Sequence, residues 1–153
     1  MPCQKCLKSP GFHSFSNIGK FNNVNVFYTS VSKGQDNTTD GSKIKNIKLH
    51  IQEDPCDTEW IWVLDCSNMT ASHYTDVAFN IEMTRAILTN KKIIKIWMIR
   101  QNAWIKSIHA ICKSLPGAEH FNKFTYFDGT NIELFLKFKE MGLDNSLIGK
   151  ILS

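Results

Sequence analysis

The stretch Trp60 to Leu64, "WIWVL", is apolar at every position and is followed at once by an acid, Asp65, and a loop of small polar residues, "CSNMTAS". A strand with one wet face alternates apolar and polar residues, whereas a run without alternation belongs to a strand buried on both faces. That requires a layer on each side of a sheet. "KIIKIWMIR" and "KFTYF" repeat the pattern further along, and "VNVFYTSV", Val24 to Val31, is β-branched and aromatic in the same way.

Between these runs lie pieces of helical period. Tyr74, Val77, Ala78, Ile81 and Leu88 share one stripe that ends at Asn90. Trp104, Ile108, Ile111, Cys112 and Leu115 share another, which Pro116-Gly117 stops. Asp128-Gly129 turns the last apolar run into a helix from Asn131 to Met141. Ile44 to Ile51 fits both a strand alternation and a helix face; we favour the helix, capped by Asp40 or Ser42. The order strand, helix, strand, helix, strand, helix predicts an α/β fold, a mixed and largely parallel sheet with flanking helices. Ser32 to Lys43, rich in Gly, Asn, Asp and Thr, reads as an exposed loop within it. The flanking pieces are too small to stand alone. A single domain over 1–153 is therefore expected, with 1–20 a loosely ordered N-terminal segment.

Several function classes drop out. No apolar run approaches the roughly 20 residues of a membrane span, and the N-terminus has no apolar core of a secretory signal. Five cysteines without framework spacing suit a reducing, cytoplasmic compartment. The net charge of +4 is mild and the lysines are dispersed, so no nucleic-acid partner is expected. Asp65, His73 and Ser72 have the residue types of a catalytic triad, but no nucleophile elbow accompanies them, and a non-enzymatic protein is expected. "CQKC", Cys3 to Cys6, has the spacing of half a zinc or redox site, with His13 its only near partner in sequence and no second pair. It is read as part of the loose terminus, with no metal expected, and the five histidines as surface residues.

The residues from Val26 to Gly142 resemble the lipid-binding lobe of the CRAL-TRIO, or Sec14-like, domains. "VFYTSV", "DGSKIKNIKLHI", "WIWVLDCSNMTASHY", "IIKIWMIRQNAWIKSIHAICKSL" and "FNKFTYFDG" stand in the family's order. The resemblance implies a cytoplasmic, peripherally membrane-associated domain that binds and transfers one amphiphile, a phospholipid or related lipid. That lipid would be the only bound group, with no other cofactor, held between the sheet and a gate helix matching Trp104 to Leu115. It implies head-group contacts at Thr70, Ser72 and Lys123, and lipid contact at Trp104 and Ile108. Lys106 and Lys113, with His109 on the same polar side, would meet an anionic membrane surface transiently. The usual Gly after the Asp strand is Asn68, a residue that tolerates positive φ. A minimal form without the helical lobe that usually precedes the domain is expected, Lys91-Lys92 stands where the Pro-Glu pair is frequent, and "LDNSLIGKILS" stands in place of the usual Gly-Gly tail. Two alternatives stay open. One is a Sec14-like scaffold that binds a protein partner without a lipid pocket. The other is a STAS-type regulatory domain, in which Ser67 or Thr70 would stand at the helix start after a strand.

Overall fold

A computed structural model describes residues 3–37, 43–52, 56–114 and 118–153. Its centre is a five-stranded sheet in the order β1-β2-β3-β4-β5, with β1 Ser16–Phe21, β2 Val24–Ser30, β3 Trp60–Asp65, β4 Ile93–Ile99 and β5 Phe124–Phe127. β1 and β2 form an antiparallel hairpin, and β2 through β5 run parallel. Every residue of β3 is buried, as a middle strand covered on both faces must be.

The parallel strands follow one another in space as in sequence, so crossovers of one hand place their helices on one face. These helices are α1 Gln4–Lys8, α2 Val31–Asp36, α3 Lys43–Gln52, α4 Ala71–Tyr74, α5 Val77–Thr89 and α6 Ala103–Cys112, with a 3-10 turn at Ala118–Lys123; α1 precedes the sheet and the rest lie in the crossovers. Ile51, Ile87, Leu88 and Ile105 pack there against Trp60, Trp62, Leu64, Ile96 and Met98. The opposite face is covered by the last two helices, α7 Asn131–Met141 and α8 Asn145–Leu152. Leu134, Phe138, Leu147, Ile148 and Ile151 meet Val26, Ile61, Val63, Trp97 and Ile99 there. Alternate residues of β3 thus feed two separate cores, and this explains the run without polar breaks.

The expected strands at Trp60 to Leu64, Ile93 to Ile99 and Lys123 to Phe127 are neighbours, the last beginning one residue later at Phe124, and the ambiguous Ile44 to Ile51 piece is helix. Its cap, placed at Asp40 or Ser42, lies outside the described residues, as do Leu115 and the Pro116-Gly117 stop. Four elements depart from the sequence reading. The exposed loop expected from Ser32 begins instead with α2, in which Val31, Ser32, Gly34 and Gln35 are buried. The segment before residue 20 carries α1 and leads into β1. β1 joins β2 through Asn22 and Asn23, both at positive φ (49° and 65°), the conformation of a two-residue hairpin turn. The C-terminal tail is α8, capped by the Asp144 carboxylate, which accepts from the Leu147 N–H at 2.7 Å.

Candidate functional site

β2, β3 and β4 end level, with Ser30, Asp65 and Ile99 in register, and the loops beyond them gather most of the polar residues singled out above. Asp65 is 2% exposed. It accepts from the Tyr28 hydroxyl at 2.7 Å, the Arg100 guanidinium at 2.6 Å and the Ser67 N–H at 2.9 Å. The abrupt acid at the end of "WIWVLD" is therefore the anchor of the strand ends and is fully engaged. Asn68 takes the positive φ (60°) that its place in the loop requires.

Thr70 caps α4, and its N–H donates to His73 Nδ1 at 2.8 Å. His73 Nε2 then donates to Asp36 at 2.7 Å. The exposed Ser72 hydroxyl pairs with Thr70 at 2.8 Å. His73 has no lone pair left to take a proton from Ser72, and Asp65 faces Arg100 instead, so these three residues are not arranged as a triad. Cys66, beside Asp65, is no ready nucleophile either, because burial first and the Asp65 charge second push its thiol up to about 12.

Trp104 stands next to this loop. Asn102 caps α6 by accepting from the Trp104 and Ile105 N–H groups at 3.1 and 3.3 Å, and it donates to the Tyr74 hydroxyl. The Tyr74 and Trp104 rings stack at 6.5 Å, yet Trp104 stays 62% exposed. Ile111 is 53% exposed on the same flank of the helix. Ile105, Ile108 and Cys112 face inward.

Lys123 lies at the other end of the sheet. It precedes β5 and donates to the carbonyls of Asn90 at 2.9 Å and Leu88 at 3.4 Å, just before β4 begins. The structure thus brings Thr70, Ser72 and Trp104 to one edge and leaves Lys123 at the opposite one. Lys106 pairs with Asp128 at 3.2 Å, and Lys113 is exposed. His109, expected on the polar side with them, is buried and bonds to the Tyr126 hydroxyl. Burial, and after it the Lys113 charge, hold its imidazole down to about 4, so it is neutral and adds nothing to a basic surface. His13 and His73, also read as surface residues, are buried too.

Beneath α6 lies a narrow seam with a cavity volume of about 20 Å³, lined by Leu64, Met83, Met98, Ile105, Ile108 and Phe124 among others. A second cavity of about 20 Å³ lies between Phe15, Ile47, His50 and Trp62, and both are bounded by Val31 and Met83. Polar groups at the first are committed internally. Asn80 donates to the carbonyls of His73 and Asp76 at 3.2 and 2.9 Å, and Thr84 donates to that of Asn80 at 2.8 Å.

Sequence reasoning had no signal for Arg100 as the partner of Asp65, or for His50 beside the N-terminal cysteines, since both pairings span more than thirty residues. No family model, no curated protein and no solved structure matches the chain.

Proposed function

We propose that the protein is a non-enzymatic binder of a small amphiphile, held in the apolar seam beneath α6 and exchanged with an anionic membrane surface. The observation that carries this reading is the seam itself: unfilled space with an apolar lining, closed by a helix that also presents Trp104 and Ile111 to solvent. Its enclosed volume is only about 20 Å³, far below the roughly 300–1,000 Å³ of ligand pockets, so any acyl chain requires α6 to move outward. Lifting Ile105 and Ile108 from the core costs about 3–6 kcal/mol, which an incoming chain offsets at about 0.8 kcal/mol per buried methylene. Trp104 is placed to enter the interface of a bilayer, and Lys113 to meet its anionic head groups.

Native mass spectrometry of the protein purified from cells tests the proposal. A bound species of lipid mass, lost when Ile108→Trp fills the seam, is the expected result. A bare chain that also fails to take up fatty acid or lysophospholipid from vesicles would overturn it. A protein-docking scaffold is the second reading, and the exposed Ile132, Phe135 and Leu136 of α7 favour it. A partner captured through that face, with the seam empty, is the outcome that would support it.

A further inference from the structure

Cys3, Cys6, His13 and His50 present four ligand atoms that lie within 4.8 Å of one another, with Cys3 buried and Cys6 and His50 half-buried. Cys3 caps α1 and Cys6 stands one turn on, so the C-x2-C spacing turns both sulfurs to one side. His13 follows in the loop before β1, and His50 comes from the last turn of α3. His13 Nδ1 is 3.4 Å from each sulfur and 3.1 Å from His50 Nε2, which is itself 3.6 Å from Cys6 Sγ.

Hydrogen bonding does not account for this convergence. A ring nitrogen has a single in-plane position, holding either one proton or one lone pair, so His13 Nδ1 cannot bond to three neighbours at once. A tetrahedral ion does account for it. With zinc–sulfur bonds of about 2.3 Å and zinc–nitrogen bonds of about 2.05 Å, the edges of the tetrahedron are about 3.5 Å for sulfur to nitrogen and about 3.3 Å for nitrogen to nitrogen. Four of the six separations lie within about 0.2 Å of these edges, and all six are within 4.8 Å.

We propose that Cys3, Cys6, His13 and His50 form a structural zinc site. Two thiolates and two imidazoles in a tetrahedron are the donor set of zinc, and four protein ligands leave no position for substrate or water. One wall of the site is aromatic, with the Phe15 ring stacked on His50 at 5.2 Å. The packing of the N-terminal segment is close as well. A Cβ at Gly34 would lie 3.1 Å from the His13 carbonyl, so glycine lets α2 pass behind the ligand loop. The ion would fasten α1 and the following loop to α3 across 44 residues and form one end of the space lined by His13, Phe15 and His50. The site stands independently of the amphiphile reading.

The test is the metal content of the full chain, purified without a polyhistidine tag and without chelators, by plasma mass spectrometry. A single zinc per chain is expected. Cys6→Ser and His50→Ala should each lower it by more than about tenfold, since each removes one of the four ligands and even loss of a residue that only orients a ligand costs about tenfold. Cys56→Ser, a cysteine outside the cluster, should retain it. Wild-type protein stripped of metal and given cobalt(II) should develop the sulfur-to-cobalt charge-transfer band and the strong visible bands of a tetrahedral site, and zinc should erase both. This readout needs no variant to fold. A metal-free protein without the cobalt charge-transfer band overturns the proposal, as does a zinc content that survives loss of both Cys6 and His50.

Discussion

Arg100 Nη1 lies 2.6 Å from Asp65 Oδ2 where β3 and β4 end level, and Arg100 Nη2 donates to Asn131 at 2.8 Å and to the Leu152 carbonyl at 3.0 Å. A single guanidinium therefore ties the sheet edge to the start of α7 and the end of α8. Arg100 has a positive φ (54°), which turns the chain out of β4.

Removing that cation leaves a buried carboxylate without its counter-charge. Arg100→Met should destabilise the fold by about 3 kcal/mol, the low end for breaking a buried pair, because Tyr28 and Ser67 still donate to Asp65. Urea unfolding measures this. The double variant with Asp65→Asn should lose less than the sum of the two single changes, since the charge that needs a partner is gone.

His109 makes stability fall in acid. Its folded value is held down to about 4, against 6.5 in the unfolded chain. Between those values the unfolded state binds a proton that the folded state does not, so stability decreases as pH drops through 6.5 toward 4. The loss reaches about 2 kcal/mol at pH 5. His109→Leu should remove this part of the slope between pH 7 and 5, as read by urea titration at each pH. Parallel slopes for both proteins would show that His109 is not the group responsible.

Lys123 is half-buried and donates to two carbonyls, and burial lowers its pKa. Lys123→Ala should cost about 1 kcal/mol of stability through those lost bonds. Because Lys123 lies across the sheet from Thr70, Ser72 and Trp104, binding to anionic vesicles should be unchanged. A clear loss in vesicle sedimentation, with stability intact, would instead return it to the head-group site.

The gate reading predicts that α6 is less protected than α5. Its amides should exchange faster than those of Val77–Thr89, and anionic vesicles should slow them as Trp104 and Ile111 enter the interface. Trp104→Ala combined with Lys113→Glu should abolish the vesicle effect. Equal protection in both helices, unaffected by vesicles, would favour the scaffold.

Much of the fold was legible because its signals are local. The unbroken apolar run of β3 requires cover on both faces, and β4 is interrupted only by the exposed Lys95. Helical period marks the crossovers, although Val77 and Ala78 of the first expected stripe and Trp104 and Ile111 of the second face solvent. The hairpin has little local signal, because β1 is half-exposed and its "SNIGKF" carries no apolar alternation, which leaves Asn22-Asn23. α8, a capped and one-sided helix built on Asp144, Leu147, Ile148 and Ile151, spans only eight residues, too few for its period to stand out in the sequence. His109 lies at the margin of the apolar arc of α6, where periodicity does not decide between core and solvent.

The sequence by itself determined the middle of the fold: the strands β2 to β5, the helices that alternate with them after Ile44, and a sheet with cover on both faces. Those outcomes follow from side-chain period and backbone propensity, which act over a few residues. The tertiary structure decided what meets what. It set Arg100 against Asp65, placed Lys123 on the edge away from Thr70 and Ser72, turned His109 inward to Tyr126 and carried His50 to Cys3, Cys6 and His13. Each of these depends on the register of the strands and on the docking of helices far apart in the chain, and no local pattern encodes a distance between such residues.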